Sequence, residues 1–118
     1  SLFNESPSLH TNYPPYDILK TDEHSYVIEL AVAGFSKKDI EVTVENGVLT
    51  VVSDHKANAE SSGQEIIHRG ISKRYFKKSF SISDDVEIRG AELKDGLLRI
   101  SMEKIIPESR KRREISIK

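Results

Sequence analysis

The sequence predicts an all-β protein, an antiparallel β-sandwich. Three observations carry that expectation. Apolar residues alternate with polar ones along several short segments, the period of a strand with one buried face. Asn46-Gly47 and Asp95-Gly96 each sit between two such segments, and both are strong hairpin signals because a type I′ turn needs positive φ at its two central residues. No segment sustains a helical period; residues 36–39 have room for one turn. Several short strands separated by turns argue for two packed sheets.

Residues 1–12 have no clean period and are expected to be the mobile remnant of an amino-terminal arm. Pro14-Pro15 forces an extended backbone, and Tyr16, Asp17, Ile18, Leu19 and Lys20 then suit a short edge strand. Tyr26, Ile28, Leu30 and Val32 alternate until Gly34 breaks the run. Ile40, Val42 and Val44 follow on the same period, and the Asn46-Gly47 turn pairs Val44 with Leu49 and Val42 with Val51. Between the hairpins, Phe76, Phe80 and Ile82 are expected to face inward. The second hairpin joins residues 91–94 to residues 97–103 and places Ala91, Leu93, Leu98, Ile100 and Met102 on one face.

Two stretches do not fit a simple sandwich. Residues 54–74 form a connection too long to be ordinary. Its middle, Glu65, Ile66, Ile67 and His68, reads as a strand that a flexible loop cannot bury. Exchange with the edge of a second subunit would cover it, and so would folding back over its own domain. The other stretch is the tail. Pro107 stops regular structure, and Arg110, Lys111, Arg112 and Arg113 form a basic run. Ile115 and Ile117 then alternate with no strand after them to cover them. Two isoleucines on a polar tether point to a plug for a groove, and so to an assembly or binding protein more than an enzyme.

Composition narrows the function. The 118 residues suit one domain, and 36% hydrophobic against 31% charged residues gives a modest core with a solvated surface. A net charge of −1 provides no general attraction for nucleic acid or an anionic membrane. The chain has no cysteine, which excludes disulfides and thiolate metal sites and fits the reducing cytoplasm. No apolar run is long enough to span a bilayer. No signal peptide is visible, and the chain starts at Ser1, which leaves room for a segment before it. His10, His24, His55 and His68 lie in separate segments without metal-ligand spacing. No glycine-rich phosphate loop is present. The expectation is therefore no catalytic residue, no metal and no cofactor. Glu41 and Glu45 read as a solvated strand face, and the basic run, which has no interleaved aromatics, reads as a solvated tether.

Four motifs in order resemble the small heat shock protein family, whose shared unit is the alpha-crystallin domain. Ala91-Glu92-Leu93-Lys94-Asp95-Gly96-Leu97-Leu98 is similar to its Ala-x-x-x-Asn-Gly-Val-Leu signature, with Asp95 and Leu97 as conservative departures. Val32-Ala33-Gly34-Phe35 with Asp39-Ile40-Glu41-Val42, then Asn46-Gly47-Val48-Leu49, resemble its central strands and hairpin. Ile115-Ser116-Ile117 matches its carboxyl-terminal Ile-x-Ile/Val motif. Tyr13-Pro14-Pro15-Tyr16, Arg89-Gly90-Ala91 and Ile106-Pro107-Glu108 look most like the bacterial inclusion-body-binding subgroup.

The resemblance implies an immunoglobulin-like sandwich at residues 13–106 and a carboxyl-terminal extension at residues 107–118. It implies a dimer formed by strand exchange, with Glu65, Ile66, Ile67 and His68 pairing with Tyr16, Ile18 and Leu19 of a second subunit. It implies higher homo-oligomers in which tail isoleucines dock between two edge strands of a neighbour. The implied activity is ATP-independent holding of unfolded client proteins, later passed to ATP-driven chaperones. Most of the family's variable amino-terminal arm is missing from this sequence. Lys78 stands where the family commonly has arginine, so the planar fork for an interface ion pair is lost. Ile82-Ser83 replaces a common Leu-Pro.

The expected destination of Ile115 and Ile117 is an apolar groove between Val42 and Val44 on one hairpin and Ala91 and Leu93 on the other. A competing expectation is a co-chaperone-type sandwich that binds one dedicated protein partner. The long loop and the tail motif both argue against it.

Overall fold

A computed structural model describes residues 3–5, 13–53, 65, 67, 68 and 75–118. Among these residues eight strands form two four-stranded antiparallel sheets: β1 (Phe3–Glu5), β2 (Tyr16–Lys20), β3 (Ser25–Ala31), β4 (Ile40–Glu45), β5 (Val48–Ser53), β6 (Lys77–Ile82), β7 (Val86–Lys94) and β8 (Leu97–Lys104). One sheet has the order β1-β6-β5-β4 and the other β2-β3-β8-β7. The sandwich expected from the period-two pattern is the fold observed.

The hairpin registers follow from turn chemistry. Asn46 and Gly47 have φ of 51° and 75°, and Asp95 and Gly96 have 53° and 79°, so each pair occupies the left-handed region that a type I′ turn requires. Val42 pairs with Val51 and Val44 with Leu49, as the two-residue turn dictates. In the second hairpin Leu93 pairs with Leu98 and Ala91 with Ile100.

The core lies where the two inner faces meet. Ile28, Leu30 and Val32 come from one side with Leu98, Ile100 and Met102. Leu49, Val51, Phe76, Phe80 and Ile82 come from the other. Phe76 meets the edges of Tyr13 and Phe35 at ring-centroid distances of 5.8 and 5.6 Å. The ring of Tyr16 stands edge-on to Phe80 at 5.1 Å, which holds β2 onto the sandwich. Where the chain returns from the long connection, the Ser53 and Phe76 backbones clasp. The Phe76 N–H donates to Ser53 Oγ at 2.8 Å, and the Ser53 N–H donates to the Phe76 carbonyl at 3.0 Å.

Three features depart from the expectation. Residues Phe3–Glu5 form a strand against β6, although their sequence shows no period. A three-residue strand is too short to display alternation, and here its position comes from the open edge of β6. Strand β7 begins at Val86, five residues before the expected Ala91, and carries a bulge between Ile88 and Gly90. The bulge inserts Arg89 without a partner, so the core-facing parity changes from Val86 and Ile88 to Ala91 and Leu93. A strict alternation rule stops at that slip. Finally, Glu65, Ile67 and His68 are exposed and carry no strand in this single chain; Ile66 lies outside the described residues. A strand needs a second edge to satisfy its backbone, and none of the described strands pairs with these residues.

Replacing Gly47 with Ala should cost about 1–2 kcal/mol, the penalty of a Cβ in the left-handed region. The added Cβ would meet the Ile82 carbonyl oxygen at 3.5 Å, an ordinary contact, so the loss comes from backbone conformation and not from a clash. Urea unfolding at one fixed protein concentration measures it. An unchanged midpoint would show that the turn does not need the left-handed pair.

Candidate functional site

The two sheets do not close on one side. Strand β4 ends one sheet and β7 ends the other. Their inward side chains line a cavity of about 330 Å³ made by Ile40, Val42, Ala91, Leu93 and Leu98, with Lys37 and Glu92 at its rim. The 3-10 turn Lys37–Asp39 sets the start of β4 and so the position of Lys37. That turn is pinned by buried Asp39, whose Oδ2 accepts from both the backbone N–H and the hydroxyl of Ser36 at 2.9 Å each. Apolar walls between two unpaired strand edges can hold an extended peptide, with backbone bonds along the edges and alternate side chains in the cavity.

Of the expected groove residues, Val42, Ala91 and Leu93 come together here. Val44 does not join them. It lines a second cavity of about 370 Å³ further along the seam, with Ile82, Asp84, Val86, Glu87 and Ile88. The reason is distance along the strand: two residues advance about 6.6 Å, enough to move from the Ala91/Leu93 stretch of β7 to its Val86/Ile88 stretch. Ile40, Leu98, Lys37 and Glu92 also line the cavity, beyond the four residues expected there. Ile40 shares the parity of Val42, and Leu98 is the cross-strand partner of Leu93, so both had a signal. Lys37 and Glu92 had none, because a rim charge and a solvated charge look alike in sequence.

Ile115 and Ile117 are 70% and 97% exposed, outside the groove of their own chain. After Pro107 the tail makes one 3-10 turn, Glu108–Arg110, and continues without regular structure. Among the described residues β2 pairs with β3 alone, and Ile18 and Leu19 are exposed on it.

Lys78, expected at an interface, lies inside the sandwich of a single chain and is 1% exposed. It shares the parity of Phe76 and Phe80. Its Nζ sits 5.0 Å from the centre of the Tyr16 ring, so the ammonium is held against a β2 aromatic while its stem packs in the core.

Other polar features read as surface. Arg89 pairs with Glu103 and, at 2.5 Å, with Glu87. The hydrogen bond to Glu103 raises the guanidinium pKa above its ordinary value. The His24 backbone N–H, donating to Asp22, holds that carboxyl below the usual range. Among the described residues no cluster of His, Cys, Asp and Glu has the grouping to hold a metal. No helix among them is long and apolar enough to cross a membrane.

Residues 18–118 match the Hsp20/alpha crystallin family. The chain is 41% identical over 106 residues to the small heat shock protein IbpA of Serratia proteamaculans, covering 90% of this chain and 76% of that one. It is 44% identical over 108 residues to the 16 kDa heat shock protein B of Azotobacter vinelandii, covering 92% and 71%. Its fold superposes on the solved small heat shock protein from Synechococcus phage S-ShM2 with a TM-score of 0.67, at 41% identity, covering 89% and 99%. The chain therefore belongs to the Hsp20/alpha crystallin family of small heat shock proteins, which are ATP-independent chaperones and not enzymes.

Proposed function

We propose that this chain is a holdase that keeps unfolding proteins from aggregating, works as a dimer-based oligomer in the cytoplasm and passes clients to ATP-driven chaperones. The observation that carries the reading is the open apolar seam beside a tail whose two isoleucines are exposed. In the oligomer, Ile115 and Ile117 of one copy fill the seam of another. Residues 65–68 pair with the free edge of β2 in a dimer partner. Residues 13–106 serve as the folded domain and residues 107–118 as the docking extension. The family match favours this reading over a dedicated-partner adaptor.

The energetics suit reversible assembly. Burying two isoleucines gains roughly 3–6 kcal/mol gross, at about 1.5–3 each. Ordering the tether removes part of that. A millimolar Kd corresponds to only about 4 kcal/mol, so one contact is weak. Several at once hold an assembly while each still exchanges. Release of a tail then bares the seam to the apolar segments of an unfolded client.

Three measurements test this. The chain should suppress aggregation of a heated model protein in the absence of ATP; clumping at the rate of the client alone would refute the holdase role. Ile115→Ala with Ile117→Ala should reduce assemblies to dimers in light scattering, and an unchanged size would refute the tail's part. Deleting residues 65–68 should take the remaining dimer to a monomer by sedimentation. A dimer that survives the deletion would remove strand exchange from the account.

A further inference from the structure

The seam carries charge at one end, and the tail carries the opposite charge beside its isoleucines. Asp84 and Glu87 line the cavity that continues the seam past Val44. Asp85 adds a third carboxylate between them in sequence. Lys104 lies 3.9 Å from Asp85, and Arg89 is shared between Glu87 and Glu103, so this end keeps a negative balance. The tail has Arg110, Lys111, Arg112 and Arg113 just before Glu114 and Ile115.

We propose that the basic run is part of the docking element: Arg112 and Arg113 of one copy sit on Asp84 and Glu87 of a second copy, and the tail therefore enters the seam at its acidic end. This deepens the tail-docking reading above and rests on it. The spacing agrees. With Ile115 and Ile117 in the cavity of Ile40, Val42, Ala91 and Leu93, Arg113 falls about two residues, or about 6.6 Å, back along the seam. That is the step from Val42 to Val44, which leads to the acidic cavity. The tail then runs antiparallel to β4. In the opposite direction the basic run would leave past Lys37, whose charge Glu92 on the same rim offsets, so that end has no negative balance to hold it. The occupant is a second copy because the chain's own Ile115 and Ile117 lie exposed, outside its own seam.

The test uses the full chain carrying Ile115→Ala and Ile117→Ala, so that its own tail does not compete, and a synthetic peptide of residues 110–118. A spin label on the peptide's amino terminus should broaden amide signals near Val44, Asp84 and Val86. A label after Lys118 should broaden those near Lys37, Ile40 and Leu93. The reversed pattern, or equal broadening at both ends, overturns the direction while leaving tail docking intact. No broadening anywhere in the seam overturns the docking reading itself. Asp84→Asn with Glu87→Gln should weaken the peptide at low salt by about two- to fivefold per charge removed and flatten its salt dependence. A peptide with the four basic residues replaced by Gln, which tests the idea without altering the fold, should bind as weakly and ignore those substitutions. Salt-independent binding of the native peptide overturns the proposal. Assemblies of the unsubstituted chain should also shrink as salt rises; if they do not while the peptide behaves as expected, the occupant is the chain's own tail and the second copy is wrong.

Discussion

Packing of β5 and β6 against β3 and β8 decides where everything else lies. These four central strands supply Leu49, Val51, Phe80 and Ile82 on one face and Ile28, Leu30, Leu98, Ile100 and Met102 on the other. Each residue is placed by a period of two, so a one-residue slip would turn a whole row toward water. The type I′ turns and the Ser53–Phe76 clasp prevent that slip. Once the centre is set, the outer strands must lie at the margins. On one margin β2 is held by Tyr16 against Phe80. On the other, β4 and β7 face each other with no further strand of the described chain between them.

The open margin follows from topology. Among the described residues each outer strand hydrogen-bonds through one edge only, and the second edge of β4 and of β7 lies beside an apolar wall. A fully closed barrel would satisfy those edges and would leave nothing for a peptide to join. The bulge at Arg89 matters here. It keeps Val86 and Ile88 facing the seam at one end and Ala91 and Leu93 at the other, so one strand lines both cavities. Lys78 shows a related compromise. A lysine stands in a row of core positions with its apolar stem packed among them and its Nζ against the Tyr16 ring, a contact that ties the interior of the sheet to the β2 edge.

Much of this was legible in the residues. Alternation gave the strands and the inward rows, and Asn46-Gly47 and Asp95-Gly96 gave two registers to the residue. The tail motif stood out because an alternating apolar pair at Ile115 and Ile117 had no neighbour in sequence to cover it. The β1 strand was not legible, since three residues carry no period. The full length of β7 was not, since a bulge erases the alternation that marks a strand.

By itself, then, the sequence determined the local geometry: strand period, turn type and the apolar faces, all of which depend on residues two to four apart. Only the tertiary structure decided which faces share a cavity. It separated Val44 from Val42, added Ile40 and Leu98, put Lys37 and the Asp84/Glu87 pair at opposite ends of one seam, and buried Lys78 under Tyr16. Those outcomes depend on contacts between strands far apart in the chain, and no local pattern encodes the relative offset of two sheets.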